Sequence, residues 1–215
     1  MILKHDELNN LIGSLPYDQY FDGIGLTDEQ VDNRIAYANK MEEIMLWLFA
    51  IVLSTYGTDA FDVDFIKTEF RLKIEVLMLE TGFEIDDYLA NYLKVIPEEI
   101  TETTLKHLPK HEQSSEPLPS YWFSPSRAVA NAENEAETVF NYAEYIKAIA
   151  DGKTTKKWKD VRDSHERVSH LNVGGKEIGI FDYFKVGDCL MRFPKDMENG
   201  TAEEICNCRC GIQYL

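Results

Sequence analysis

Hydrophobic positions along the chain follow two different periods, and the change falls near Gly152. From Leu26 to Gly57 they recur at three- and four-residue steps. Val31, Ile35, Ala38, Met41, Met45, Leu48 and Val52 form one stripe, the signature of an amphipathic helix. Thr27 and Gln30 have capping-box spacing at its start, and Gly57 is a stop signal. The run IMLWLFAIVL (Ile44 to Leu53) is apolar on every side, which predicts that other helices surround it, with Trp47 as a core anchor. A second helix is predicted over DVDFIKTEFRLKIEVLMLETG, with acidic residues in its first turn and Gly82 at its end. Two shorter helices fit EIDDYLANYLKVI and PEEITETTLKHL, the latter with Pro97 at its first position. Residues 109–120 are polar and proline-containing, and read as a linker. A long helix then runs from a Ser124 cap, with Pro125 just inside, to Gly152. The residues before Leu26 read as loop, broken by Gly13, Pro16, Gly23 and Gly25.

Beyond Gly152, short β-like pieces alternate with turn signals. TTKKWKDV, KEIGIF, CLMRF and RCGIQYL are separated by Gly174-Gly175, Val186-Gly187-Asp188 and Asn199-Gly200. They predict a small, mainly antiparallel sheet. The expected fold class is therefore α+β: a helical N-terminal region with long helices, followed by a compact β-rich C-terminal module.

Charge separates the same two regions. Of the formal net charge of −16, all resides in residues 1–150, which hold 11 Lys and Arg against 27 Asp and Glu, while residues 151–215 hold 11 of each. An acidic surface repels phosphate, so the first region is expected to meet proteins rather than nucleic acid. The start, MILKHDELNNLIGSLPYDQYF, lacks the basic and apolar regions of an export signal. The ten-residue apolar run Ile44 to Leu53 is well short of the ~20 residues that span a bilayer. The expectation is a soluble, non-exported chain without membrane contact, whose four cysteines are reduced thiols or metal ligands rather than a disulfide framework.

Candidate chemistry gathers in the last third. There is no Gly-x-Ser-x-Gly elbow, no Gly-rich phosphate loop ending in Lys-Ser/Thr and no His-Glu-x-x-His. The stretch KKWKDVRDSHERVSH contains Trp158, Asp163, Arg167 and His170. Functionally it offers an acid–base pair, Asp163 with His165 or His170, or phosphate contacts that include Arg162, with Lys153, Lys156, Lys157 and Lys159 as DNA-contact candidates. Structurally it is a strand edge with solvated lysines and a loop pinned by an Asp–Arg–His network, and structural ion pairs outnumber catalytic ones. In CNCRC, Cys206, Cys208 and Cys210 alternate, and on a strand they would face one side. A zinc site would use Cys208 and Cys210 with His170, and with Cys189 to complete it, although Cys-x-Cys is an unusual chelate. The competing reading is packing, because free cysteine behaves as a small buried hydrophobe. Tyr121-Trp122-Phe123 fits a hydrophobic staple ahead of the Ser124 cap or an exposed partner patch, and His107 and His111 read as exposed.

Taken in order, KKW, Asp163, Arg167, His170, HLNVGGKEIGIFDYFKVG, MRFPKD and AEEICNCRC resemble the C-terminal module of the phage Mu F-like minor head proteins, the phage head morphogenesis family. The matching positions are Trp158, Asp163, Arg167, His170, Pro194, Asp196, Asn207, Cys208, Arg209 and Cys210. His165 stands where the family usually has an arginine, and Cys206 is outside the pattern. SRAVANAENEAETVFNYAEYIKAIADGKTTKKW is similar to the helix that precedes this module. LPYDQYFDGIGLTDEQVDNRIAYANKMEEIMLWL resembles the N-terminus of minor head proteins from phages and prophages of Gram-positive bacteria.

The resemblance implies a helical region over 1–120 that docks onto portal or capsid, a connecting helix over 121–152, and the module over 153–215. It implies a minor virion structural protein at the portal vertex or in the head interior, assembled in the host cytoplasm, with portal protein, capsid protein and packaged DNA as partners. Its roles would be head morphogenesis and DNA retention or delivery, without enzymatic activity or an obligatory cofactor. The cysteines would lock the last strand against the Asp163–His170 loop. Two alternatives stay open: a nucleic-acid-binding module acting through residues 153–167, and a small zinc-dependent enzyme built on His170 and the cysteines.

Overall fold

The computed structural model describes residues 17–21, 25–108, 121–161 and 166–215. Gly13, Pro16, Gly23, the 109–120 linker with His111, and Arg162, Asp163 and His165 lie outside the described residues. The architecture is α+β, with long helices in the N-terminal part and, among the described residues, short antiparallel strands within 155–214.

Local chemistry sets the helix ends. Helix α1 (Tyr17–Phe21) is a single buried turn carrying Tyr17, Tyr20 and Phe21, where the glycines and proline predicted loop. Five residues are too few for a helical period to show. Helix α2 (Asp28–Thr55) opens with the expected capping box: Thr27 N donates to Gln30 Oε1 at 2.9 Å, and Gln30 N donates to Thr27 Oγ1 at 3.3 Å. Helix α3 (Val63–Thr81) is capped by the Asp62 carboxylate, which accepts from Phe65 N at 3.0 Å. It ends at Gly82, whose φ of +93° suits a residue without Cβ; Gly82 N and Phe83 N donate to the carbonyls of Leu79 and Met78. Helix α5 (Pro125–Ala150) starts with Ser124 Oγ accepting from Arg127 N at 3.3 Å.

The two short helices expected around Pro97 are one. Helix α4 (Asp87–Lys106) runs through the proline, which removes a backbone donor and usually breaks a helix. Here Leu89, Leu93, Pro97, Thr101 and Thr104 form one continuous buried face, so interrupting the helix would expose it. Thr101 Oγ1 donates to the Pro97 carbonyl at 2.8 Å, which ties the following turn to the proline.

The chain folds as two compact units, with divisions inside α2 after Ala36 and inside α5 after Ala132. The first unit contains Tyr37–Ala132. Met41, Met45, Leu48, Phe49 and Val52 of α2 supply part of its core, with Ile66, Phe70, Ile74 and Leu77 of α3 and Tyr88, Leu89 and Tyr92 of α4. The α2 apolar run is not enclosed on all sides: Ile44 and Trp47 are only half-buried, and the Lys73 ammonium sits 4.7 Å from the Trp47 ring centre. A lysine stem covers what a further helix would have covered. In the 3₁₀ turn Tyr121–Phe123, Phe123 is buried edge-on against Phe49, whereas Tyr121 is exposed. Trp122 lies flat on the exposed His107, 3.7 Å between ring centres. No helix among the described residues is long and apolar enough to cross a membrane.

The second unit contains the described residues of Leu15–Ala36 together with Glu133–Leu215. Strand β1 (Thr155–Lys159) is central, antiparallel to β2 (Glu177–Gly179) on one side and to β5 (Gly211–Tyr214) on the other. The register places Lys156 opposite Ile178 and Trp158 opposite Ile212. Strands β3 (Phe184–Val186) and β4 (Cys189–Met191) form a hairpin whose two-residue turn begins at Gly187 with φ +57°, a position that favours glycine. The β3 strand was not anticipated, being three residues with little pattern of their own. Two one-turn helices, α6 (Val168–Leu171) and α7 (Ala202–Ile205), complete the module. Its core joins Trp158, Val173, Phe184, Val186, Cys189, Met191, Cys208 and Cys210.

Candidate functional site

Strand β1 turns alternate side chains to opposite faces, so Lys156 and Trp158 point inward while Lys157 and Lys159 stay half-exposed. Trp158 is fully enclosed, edge-on to Phe184 at 5.1 Å and to His170 at 6.0 Å between ring centres. His170 comes from α6. Arg167, at the N-cap position of that helix, reaches across with Nη2 to donate to the Cys206 carbonyl.

The three terminal cysteines do not share a strand face. Cys206 is exposed at the end of α7, and β5 begins only at Gly211. Between them Asn207 takes φ +54°, a left-handed conformation that asparagine tolerates better than most residues. This turn ends the extended run and returns Cys208 and Cys210 to the interior, both buried. Asn207 N donates to Asn134 Oδ1 of α5 at 3.3 Å, which anchors the turn.

Cys208, Cys210 and His170 thereby meet. His170 Nδ1 lies 3.3 Å from Cys210 Sγ and 3.5 Å from Cys208 Sγ, and the three donor atoms all fall within 4.8 Å of one another. Cys210 N donates to Cys208 Sγ at 3.4 Å. The other ring nitrogen, His170 Nε2, is 3.0 Å from Glu204 Oε2, which also accepts from Ser169 Oγ at 2.8 Å. The described carboxylate beside His170 is thus Glu204, contributed by α7, 34 residues away in sequence; no local spacing signals it. Cys189 stands apart in the module core, its Sγ 3.6 Å from Thr201 Oγ1.

The electrostatics follow from this packing. A hydrogen bond from the Cys210 thiol holds Cys208 well below an ordinary thiol; burial opposes this, and His170 reinforces it. Cys210 is pushed up by donating to Cys208 and by its own burial. Burial alone would lower His170, but the hydrogen bond and charge of Cys208, with the Glu204 charge, outweigh it and raise the imidazole. The cluster thus gathers two thiols, an imidazole and a carboxyl group in one hydrogen-bonded chain, Cys208 being the thiol whose charged form its neighbours favour. Two chemistries use such a set: a cysteine nucleophile or a soft metal cation. Beside it lies a cavity of about 30 Å³, bordered by Val161, Glu166, Arg167, Asn207 and Arg209 as well as the three clustered side chains. That volume admits a water-sized guest, whereas substrate pockets run to hundreds of Å³. His170 Nδ1, Cys208 Sγ and Cys210 Sγ are the atoms that could hold a metal.

Other sequence-singled residues serve separate places. Asp196 is fully buried: Oδ2 accepts from Arg192 N (3.0 Å), Arg192 Nε (2.8 Å) and Asn199 Nδ2 (3.0 Å), and Oδ1 from Arg192 Nη2 (2.7 Å). The Pro194 carbonyl accepts from Asn141 Nδ2 at 3.2 Å. Together they fasten the turn after β4. Lys156 is not a surface contact for DNA. It is 0 % exposed, its Nζ 5.0 Å from the Tyr145 ring centre and 5.7 Å from that of Phe184, and burial pulls its amine down to about 8. Lys153 is exposed. A polar layer under α5 was not foreseen. Arg34 Nη1 is 2.6 Å from Glu144 Oε1 and its Nη2 is 3.2 Å from Asn141 Oδ1. Lys195 Nζ donates to Asn134 Oδ1 at 2.7 Å, and Glu137 lies 3.9 Å from the same ammonium. Burial raises Glu137 to about 8, with Lys195 and Arg34 opposing only in part.

The chain matches no family model, no curated protein and no solved structure.

Proposed function

We propose that this protein is a minor structural component of a phage or prophage head, acting in head morphogenesis at the portal vertex and in DNA retention or delivery, and that it is not an enzyme. The observation that carries the reading is convergence. Trp158, His170, Cys208 and Cys210, separated along the sequence and all part of the family-like pattern, meet in one buried cluster. Arg167 and Asn207 form the turns that bring them there, and Asp196 fastens a turn elsewhere in the module. Residues that serve architecture point inward and bond to one another; residues that serve turnover line a pocket that substrate can enter. The acidic first region suits protein partners, and α3 offers Phe65, Val76 and Leu79 exposed on its surface for such docking. The protein would reside in the virion head interior or at the portal vertex after assembly in the host cytoplasm.

The test is co-purification with portal rings at moderate salt. Retention on the rings supports the reading; a chain that stays unbound beside purified portal and capsid protein overturns it. A second reading, nucleic-acid contact, draws on Lys153, Lys157 and Lys159, which remain on the solvent side of β1 and its approach. It requires affinity that falls steeply with salt, with a shallower slope once those three charges are removed.

A further inference from the structure

We propose that His170 Nδ1, Cys208 Sγ and Cys210 Sγ form a structural site for a soft divalent cation, zinc above all. The proposal is independent of the portal reading.

Three features of the geometry converge on it. The first is spacing. Zn–S bonds of about 2.3 Å and Zn–N bonds of about 2.0–2.1 Å meeting at the tetrahedral angle put nitrogen and sulfur about 3.6 Å apart. The two nitrogen–sulfur separations are 3.3 and 3.5 Å, within a few tenths of an ångström of that value, and all three donor atoms fall within 4.8 Å of one another. The second is ligand count. One imidazole nitrogen and two sulfurs, three donor atoms that soft cations take, fall within 4.8 Å of one another. A cation at their centre would be ligated by all three. A nucleophile, by contrast, needs a single accessible thiol, and both of these are buried. The third is the surrounding shell. The ring nitrogen that faces away from the sulfurs meets Glu204, whose carboxylate is itself held by Ser169, the arrangement that orients a metal-bound histidine. The Cys210 amide donates to Cys208 Sγ, which stabilises thiolate charge.

The donor set selects the ion. Two thiolates and one imidazole disfavour magnesium and calcium, which take oxygen, and favour zinc. The fourth position faces the cavity of about 30 Å³, which has room for one water. The ion would join α6 to the segment entering β5, two elements that no strand pairing among the described residues links directly.

The full chain, purified without chelators, should carry about one zinc ion per molecule by elemental analysis. Replacement with Co²⁺ should give thiolate-to-cobalt charge-transfer bands and tetrahedral d–d bands. Cys206→Ser and Cys189→Ser should keep both signals, and a folded Cys208→Ser/Cys210→Ser variant should lose them. Glu204→Gln should weaken cobalt binding about 10- to 100-fold while preserving the spectrum's shape. Wild-type protein that is zinc-free as purified and gives no thiolate band on Co²⁺ titration overturns the proposal, whether or not the variants fold. So does a thiolate band that survives in the double variant.

Discussion

Glu204 Oε2 lies 3.0 Å from His170 Nε2 and fixes the ring so that its other nitrogen faces two cysteine sulfurs. One carboxylate from α7 thus sets the direction of a histidine on α6. Glu204→Gln keeps a similar shape but loses the charge. It should destabilise the protein by about 1.5–3 kcal/mol, the range for hydrogen bonds to charged groups. Ser169→Ala, which removes only a neutral donor to the same oxygen, should cost about 0.5–1.5 kcal/mol. Urea unfolding of the two variants beside wild type measures the difference; equal costs would mean that the carboxylate does not hold the ring.

Cys208 and Cys206 are two residues apart and differ entirely in surroundings, one buried beside His170 and the other exposed. Cys208→Ser should destabilise the chain by about 1–3 kcal/mol, through a buried hydroxyl in place of a sulfur matched to its neighbours. Cys206→Ser should stay within about 0.5 kcal/mol of wild type. Thermal unfolding of both variants decides, and equal midpoints would contradict the assignment.

Glu137 gives a stability term with an unusual sign. Its carboxyl is raised from 4.5 to about 8 by burial, so the unfolded chain releases this proton first as pH rises. Between about 4.5 and about 8 the unfolded state binds fewer protons than the folded state, and this residue's contribution falls across that window. Glu137→Gln should therefore gain on wild type as pH increases from about 5 to about 8. Chemical denaturation at several pH values reads the gap directly; a constant gap would place the titration elsewhere.

Lys156 works in the opposite window. Burial lowers its amine from 10.5 to about 8, so the cost of enclosing the charge is fully present below about 8 and fades towards 10.5. Lys156→Met, which keeps the stem against Tyr145 and Phe184, should stabilise the protein at neutral pH by about 1–3 kcal/mol. The advantage should shrink above about pH 8. Unfolding at neutral and alkaline pH tests both parts, and a destabilised variant at neutral pH would show that the ammonium holds β1 in place.

Much of the helical framework is legible from sequence because its signals are local. The Thr27–Gln30 box, the Gly82 stop and the Ser124–Pro125 start each act within a few residues, and the structure places helix ends beside them. Pro97 misleads for the same reason: its local preference is to begin a helix, but a continuous buried face from Leu89 to Thr104 prevails. At the candidate site, residue type marks His170, Cys208 and Cys210, whereas their geometry is non-local. Glu204 carries no pattern that ties it to His170, and the left-handed turn at Asn207 is a backbone event that alternation of cysteines conceals. Alternation along β1 also implies that some of its lysines face inward, but only the position of Trp158 in the core decides that Lys156 is among them.

Quantitative mass spectrometry of phage particles purified from a culture whose genome encodes this chain, after induction, tests the proposed head role most directly. The account predicts peptides from this protein in mature heads, at few copies relative to the major capsid protein and comparable to other portal-vertex components. Particles in which portal and capsid proteins are detected but this chain is absent would contradict it.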